Sequence, residues 1–240
     1  TLILDRLVDE GLNELAGLEH LKSLRIISTS VTDAGMKALA GLKALRTLII
    51  LNCEVSDAGL NELGKLTQLE SLSLRQTELK DRHLKLLGGL KQLKGLDLFW
   101  TDATDAGVQE LAGLKRLRSL DISWNYQVGD ESLKVVAGLT QLQALRMDDT
   151  KVTDAGLKEL GRLKDLKTLS FSDTKVTDKG LKELAGLKHL QSLRVSREIT
   201  DAGLKDLAGL KQLRRLELSF SNVTDAGLKE LAGLKHLRSL

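Results

Sequence analysis

The chain has 240 residues, and its 36 basic and 33 acidic side chains leave a net charge of only +3. This balance excludes a disordered polyelectrolyte and argues against a dedicated nucleic-acid binder. The chain has six aromatic residues and no proline, which excludes a core built on Phe, Tyr and Trp. The longest apolar run is about five residues, against the roughly twenty that span a bilayer, and no signal-peptide pattern opens the chain.

The sequence repeats with a period of 24 residues, with two exceptions. The unit that begins at Leu117 has 25 residues, and the one that begins at Leu190 has 23. Residues 1–20 match the end of an earlier unit, and residues 237–240 begin another. We expect residues 1–240 to form one domain with about ten repeats. We also expect this domain to be a fragment of a longer chain. Full units begin at Leu21, Leu45, Leu69, Leu93, Leu117, Leu142, Leu166, Leu190 and Leu213.

Each unit is predicted to open with a short strand and a turn. Leu24 and Ile26 alternate with variable residues, and this period of two predicts a half-buried strand. Threonines such as Thr101 and Thr150 follow the strands, and we expect them to hydrogen-bond neighbouring backbone. The segment Val-Thr-Asp comes next, and it predicts a buried anchor and then an Asp N-cap that accepts from N–H groups at the helix start.

A helix of two turns is predicted after this Asp. Leu157 and Leu160 lie three residues apart, as on one face of a helix, and Leu163 returns to the core. Glycines near the helix ends are predicted to stop the helix in the left-handed conformation. Examples are Gly41, Gly113 and Gly186.

The period also predicts the architecture. One unit cannot bury its apolar residues alone, so the units must stack. Strands at about 4.8 Å spacing then form a parallel sheet, which lies on the concave side because helices need more width than strands.

The pattern LxxLxLxxT followed by VTDAGLKELAGLK resembles leucine-rich repeat proteins over essentially the whole chain. It is of the TDAGL type found in many bacterial proteins, and it is similar to the repeats of F-box/leucine-rich-repeat adaptors. The resemblance implies an α/β leucine-rich repeat solenoid, a horseshoe with a parallel concave β-sheet and short helices on the convex side. It also implies a binding scaffold.

Function is expected where the units differ, on the outward strand positions. Phe171 takes a core position, but the other five aromatic residues do not. Outward positions hold Phe99, Trp100, Trp124 and Phe220, and the loop of the 25-residue unit holds Tyr126. Trp and Tyr often anchor interfaces, and the neighbouring charges would orient a partner. As the alternative, Trp100 and Trp124 only pack over the strand–loop edge and cover an irregular turn. The predicted partner-binding residues are Asp97, Phe99, Trp100, Asp121, Trp124, Tyr126, Arg146, Asp148 and Asp149.

A second, apolar group occupies outward positions of the first two full units. It consists of Ile27, Ile49 and Leu51. These residues form a small contact patch or lie beneath an N-terminal cap that precedes this sequence, and both alternatives stay open.

The pattern argues against catalysis and metal binding. Asp97 and Asp121 are expected on neighbouring strands about 5–6 Å apart, near the separation used by retaining glycosidases. However, an open sheet would leave them in water, and Arg146 would favour both as carboxylates. No His or Cys residues have zinc-ligand spacing, and Cys53 takes a Thr position that we expect to be buried. We therefore expect no catalytic residue, no cofactor and no metal site.

The sequence thus predicts a non-enzymatic scaffold that binds a protein or peptide on its concave sheet. No nucleic acid and no membrane insertion are expected. Two alternatives stay open. The resemblance implies an F-box-type substrate-recognition adaptor of a ubiquitin ligase, although the chain has no F-box and lacks the regular Cys positions of that subclass. A glycan-binding cell-surface protein is the other, because tryptophans beside carboxylates are typical of sugar platforms.

Overall fold

A computed structural model describes residues 1–5, 12–27 and 33–240. In these ranges ten strands form one sheet, and each strand pairs in parallel with the next along the chain. Each unit therefore adds one strand to the growing edge, which confirms the predicted solenoid. The strands are β1 Leu2–Asp5, β2 Ser23–Ile27, β3 Thr47–Leu51, β4 Ser71–Ser73, β5 Gly95–Asp97, β6 Ser119–Asp121, β7 Ala144–Arg146, β8 Thr168–Ser170, β9 Ser192–Arg194 and β10 Arg215–Glu217.

A short α-helix follows each strand from β2 onward and begins at the Asp of the repeat. Several helices continue as a 3-10 turn, such as Glu110–Gly113 and Leu160–Arg162. Within the described ranges, no helix is long and apolar enough to cross a bilayer. The helices are α1 Asp33–Leu39, α2 Asp57–Leu63, α3 Asp81–Leu87, α4 Asp105–Gln109, α5 Asp130–Val136, α6 Asp154–Glu159, α7 Asp178–Leu181, α8 Asp201–Leu207 and α9 Asp225–Leu228.

One continuous hydrophobic core runs the length of the solenoid. Leu24 and Ile26 of β2 are fully buried, as the alternation predicts, and so are Leu157 and Leu160 of the helical segment. Phe171 is also fully buried. Each buried Leu contributes roughly 1.5–3 kcal/mol, so the stability of a unit depends on the neighbours that cover it.

The helix starts differ from the sequence prediction, because the N-cap is the Thr and not the Asp. The Thr153 hydroxyl accepts from the N–H of Ala155 at 3.2 Å. Asp154 is the first helical residue, and its carboxylate accepts both the N–H and the O–H of Thr177 in the next unit, each at 2.8 Å. The extended Thr places its own hydroxyl over the helix N–H groups, which leaves the Asp to join neighbouring repeats. The same Asp-to-Thr link joins Asp130 to Thr153, Asp178 to Thr200 and Asp201 to Thr224.

The glycine of the DAGL segment makes room for this link. A Cβ added at Gly156 would lie 2.4 Å from Oδ1 of Asp130, in the preceding unit. The unit of α5 departs from the pattern in a compensating way, with Gly129 in place of Thr and Ser132 in place of Gly. The Ser132 hydroxyl donates to Oδ1 of Asp105 at 2.5 Å and replaces the missing Thr hydroxyl.

The predicted left-handed stops at Gly41, Gly113 and Gly186 are wrong, because no glycine in the described ranges has a positive φ. Most helices that continue as 3-10 turns end at a leucine that turns into the core, such as Leu114 with φ −82° and ψ 58°, whereas the last one ends at Ala232 in the right-handed helical conformation. The backbone therefore leaves the helix without a left-handed residue. Positive φ values occur instead just after the strands, on the face where function is expected.

Candidate functional site

The register of the sheet places three predicted site residues side by side. Asp97 of β5 pairs with Asp121 of β6, and Asp121 pairs with Arg146 of β7. They border a depression of about 410 Å³ on the outward face of the sheet. Gly95 and Ser119, two small strand residues, also line it.

A row of residues in the left-handed conformation follows the strands. Trp100 and Trp124 belong to this row, with φ of 52° and 61°. Asn and Asp tolerate the conformation, but a bulky aromatic residue there is an outlier. Sequence reasoning missed this backbone feature, and the recurrence of Asn, Gln and Asp at this point of the repeat was its signal. The other members of the row are Asn52, Gln76, Asp149, Asp173 and Phe220.

The structure brings Phe99, Trp100, Trp124 and Tyr126 together, and we call these four residues the aromatic cluster. The Trp124 ring centroid lies 6.0 Å from Phe99, 5.9 Å from Trp100 and 6.3 Å from Tyr126. Trp100, Trp124 and Tyr126 are exposed and Phe99 is half-buried. The Arg75 guanidinium lies 4.3 Å from the centre of the Phe99 ring. The cluster is therefore one continuous surface, open to solvent, with a cation already on its edge.

Asn125 fixes the loop that carries Trp124 and Tyr126. Its Oδ1 accepts from the N–H of Thr101 at 3.1 Å and of Ala103 at 2.9 Å. Its Nδ2 donates to three backbone carbonyls, including that of Ile122 at 2.9 Å. The residue is completely buried, so these bonds form out of contact with water. Sequence reasoning missed Asn125, although it stands where most other units have Thr.

Asp97 and Asp121 hold the ends of their strands. Oδ1 of Asp97 accepts from the N–H of Phe99 at 3.1 Å, and its Oδ2 accepts from the Ser73 hydroxyl at the same distance. Oδ1 of Asp121 accepts from the N–H of Ser123 at 3.0 Å. Both carboxylates thus stabilise the backbone from which the aromatic cluster projects.

The remaining charged site residues differ in their contacts. Oδ1 of Asp148 accepts from the Ser170 hydroxyl and from the Ser172 N–H, both at 2.6 Å. Asp149 is a half-buried member of the left-handed row. Arg146 is exposed, and no carboxylate of the described residues lies within 4.0 Å of it. Arg146 is therefore available to a partner.

The expectation that an open sheet leaves Asp97 and Asp121 in water is wrong, since Asp97 is half-buried and Asp121 is buried. Asp121 and Asp148 are each only 9% exposed, because side chains on adjacent rungs cover one another. Burial raises the pKa of Asp97, and the charge of Asp121 adds to this effect. Burial likewise raises the pKa of Asp148, against the hydrogen bonds from Ser170 and Ser172. Burial and the charge of Asp173 raise the pKa of Asp149.

The other residues considered from the sequence lie apart from this site. Within residues 1–5, 12–27 and 33–240, no group of three His, Cys, Asp or Glu side chains could hold a metal ion. Cys53 is buried, as predicted. Ile27, Ile49 and Leu51 are half-buried on the outward face, and Ile49 and Leu51 line the far end of the depression. They extend the same surface with apolar side chains.

Comparison with known proteins identifies the repeat. A family described as Leucine Rich repeat matches residues 17–40, 115–137, 163–185 and 211–232. The chain is a leucine-rich repeat protein. No protein of curated function matches it significantly.

Two solved structures from Listeria monocytogenes share the fold of this leucine-rich repeat protein. An internalin is 24% identical, with a TM-score of 0.59 over 95% of this chain and 75% of that chain. An internalin C2 is 26% identical, with a TM-score of 0.57 over 97% of this chain and 83% of that chain. These bacterial neighbours fit the bacterial type of the repeat. Leucine-rich repeat folds of this kind are typically protein-binding scaffolds without catalytic activity.

Proposed function

We propose that this protein is a non-enzymatic scaffold that binds a protein or peptide partner on its concave sheet, with the aromatic cluster as the anchor. The observation that carries the proposal is the exposed pair Trp100 and Trp124 in the left-handed conformation. An L-residue in that conformation costs roughly 1–2 kcal/mol. Folding alone would favour Asn, Asp or Gly at these positions. Two indoles that contact each other there, with ring centroids 5.9 Å apart, support a role in binding, which the isolated Phe220 of the same row lacks.

The charged residues beside the cluster support the same proposal. Asp97 and Asp148 have raised pKa values, which means that their charges at neutral pH oppose folding. Buried charges that are kept despite this cost are typical of functional surfaces, where activity and stability compete. Together with Asp121, Arg146 and Asp149, they would orient the partner on the anchor.

Substitution of the two tryptophans tests the anchor. Peptides are selected on the wild-type protein from a displayed random library, and their dissociation constants are measured by fluorescence polarisation. We expect Trp100→Ala and Trp124→Ala each to weaken binding at least tenfold, since interface tryptophans contribute about 2 kcal/mol or more. Phe220→Ala is the matched control, because Phe220 is an exposed aromatic residue of the same left-handed row and lies four rungs from Trp124 and five from Trp100.

The same variants separate anchoring from packing. If Trp100 and Trp124 only cover an irregular turn, both variants will lose stability in urea while their affinity stays unchanged. That result would refute the anchor. Equal losses of affinity in the Phe220→Ala control would refute the position of the anchor.

One observation favours the glycan-binding alternative. A second depression, of about 290 Å³, borders Trp100 and is lined by two amides and two carboxylates. Such groups hydrogen-bond hydroxyls, while an exposed indole offers its face to the apolar side of a sugar ring. A glycan array probed with the wild-type protein and with Gln76→Ala tests this function. The glycan-binding function predicts that the wild-type protein binds a glycan on the array and that Gln76→Ala does not. The lining residues are Asn52, Gln76, Glu78, Trp100 and Asp102. No surface of the described residues favours the ubiquitin-ligase adaptor.

A further inference from the structure

We propose that the end of the depression at Arg25 binds an acidic side chain, Asp or Glu, presented by an extended segment of the partner. The inference rests on the proposed function and names the chemistry of the partner. It depends on the charges of the depression, on the surroundings of Arg25 and on the distance from Arg25 to the carboxylates.

The charges of the depression favour an anion. Three arginines and two aspartates line it, which leaves one positive charge in excess. Arg75 is paired with Asp97 at 3.6 Å, and Arg146 lies beside Asp121 in the register of the sheet. The third arginine, Arg25, lies on β2 at the opposite end from Arg146, and no carboxylate of the described residues lies within 4.0 Å of it.

Arg25 also has a buried nitrogen without a hydrogen-bond partner. No atom of the described residues accepts from its Nε. Arg194 occupies the same position of its own repeat, but its Nε lies 3.3 Å from a carboxylate oxygen of Glu217. A buried donor that is left unpaired costs free energy, and a carboxylate from a partner would compensate this cost at Arg25.

The neighbours of Arg25 strengthen its attraction for an anion. Its partners in the sheet register are Ile3 on β1 and Ile49 on β3, and the half-buried Ile27 and Leu51 pair with each other further along the same two strands β2 and β3. Electrostatic attraction is stronger at such an apolar, partly dehydrated surface than in water. The planar guanidinium matches the two oxygens of a carboxylate, so an acidic side chain suits this end of the depression.

The carboxylates of the depression are far enough from Arg25 to tolerate this occupant. Asp97 lies on β5 and Asp121 on β6, three and four strands from β2. At about 4.8 Å per strand these separations are about 14 and 19 Å, beyond the Debye length of about 8 Å at physiological ionic strength. Between them and Arg25 the depression is lined by small residues such as Ser73 and Gly95, which leave room for a side chain of the partner.

Peptide selection tests the inference. A displayed library of random dodecapeptides is selected in parallel on the wild-type protein and on Arg25→Gln. We expect Asp or Glu to be enriched at one position on the wild-type protein and not on the variant. The best acidic peptide is then made in acetylated and amidated form, together with its analogue in which the acidic side chain is replaced by the corresponding amide.

The dissociation constants of these two peptides show whether Arg25 contacts the acidic side chain. We expect the wild-type protein to bind the amide analogue at least about tenfold more weakly, whereas Arg25→Gln should bind both peptides equally. Arg146→Gln should weaken both peptides by the same factor, because Arg146 lies at the other end of the depression. Arg162→Gln is the control that should change neither affinity, because it removes an exposed guanidinium from a 3-10 turn away from the depression.

Stability provides an independent readout. Arg25→Met keeps much of the aliphatic stem and removes the unpaired Nε. We expect this variant to raise the urea midpoint of the free protein and to abolish the preference for an acidic residue. A lower urea midpoint would mean that Arg25 serves the fold, and it would overturn the inference.

The outcomes separate this inference from the proposed function. Enrichment of basic or only apolar residues, no enrichment, or an equal effect of Arg25→Gln on both peptides overturns the inference. An acidic preference that depends on Arg146 instead of Arg25, or that appears only when the peptide has a free C-terminal carboxylate, also overturns it. If the tryptophan variants still lose binding in these cases, the concave scaffold stands without it. If the acidic preference depends on Arg25 while Trp100→Ala and Trp124→Ala bind normally, the inference holds and the aromatic anchor is wrong.

Discussion

Asn125→Ala should destabilise the middle of the solenoid more than any exposed substitution nearby. Among the described residues, Asn125 is the only acceptor of two buried backbone N–H groups, those of Thr101 and Ala103, and the change removes it. It also removes a donor that serves three carbonyls. Each buried group left without a partner costs about 1–3 kcal/mol. We therefore expect a loss of about 3–5 kcal/mol, most of it from the two N–H groups.

The chain carries its own probe for this loss. Its two tryptophans, Trp100 and Trp124, lie on the rungs that Asn125 joins. In urea, tryptophan fluorescence reports these rungs, whereas far-ultraviolet circular dichroism reports the whole solenoid. Because repeats depend mainly on their nearest neighbours, we expect the fluorescence transition of the variant to precede the dichroism transition.

An exposed asparagine supplies the control. Asn222 donates one hydrogen bond to the carbonyl of Arg197 at 3.0 Å in contact with solvent. Asn222→Ala should change stability by less than about 0.5 kcal/mol. A loss below about 1 kcal/mol for Asn125→Ala, with coincident transitions, would refute the role given to Asn125.

Three further predictions follow from the repeat contacts. We expect Thr153→Gly to lower the free energy of unfolding by about 1 kcal/mol, and Gly156→Ser to lower it by about 1–2 kcal/mol. In the double variant the serine hydroxyl replaces that of Thr153 at Asp130, so a double-mutant cycle should show at least 1 kcal/mol of favourable coupling. Additive losses would contradict the link between repeats. Phe220→Asn should raise the free energy of unfolding by about 0.5–1 kcal/mol, because Asn tolerates the left-handed backbone conformation better than Phe. Phe220 has this conformation and is 88% exposed, so little packing is lost. An unchanged urea midpoint would argue against backbone strain at Phe220. Burial lowers the pKa of His83, against the charge of Asp57, and the imidazole also faces Lys80 and Arg82. The neutral form is thus favoured in the fold, so stability should be complete above pH 6.5 and fall as the pH drops through the lowered pKa. The free energy of unfolding is measured against pH for the wild-type protein and for His83→Gln. The difference between the two pH dependences gives the contribution of His83, and a zero difference excludes it.

Local sequence patterns predicted the elements but not all their contacts. The alternation at Leu24 and Ile26 identified a strand, and the spacing of Leu157 and Leu160 identified a helical turn, because burial on one face imposes those periods. The assignment of Asp as N-cap failed because the decisive contact lies in the next repeat. A carboxylate at Asp154 is equally compatible with its own helix and with Thr177, and only stacking decides between them.

The candidate site was predictable in part. The departure of Trp100 and Trp124 from the repeat marked the outward surface, and the extra residue of the 25-residue unit located the loop with Tyr126. Asn125 was hidden because nothing in its immediate sequence shows that six hydrogen bonds converge on it. The burial of Asp121 was also hidden, because the side chains that cover it come from other rungs.

The sequence by itself determined the period, the solenoid and the face that carries the variable residues. These follow from local alternation and from the need of each unit to bury its leucines against a neighbour. Only the tertiary structure decided which carboxylates are buried, that the tryptophans adopt a left-handed backbone, and that Gly95 lines a depression together with Asp97 and Asp121. Such features depend on contacts between residues about one repeat apart, whose distances and solvent exposure arise only when the units stack.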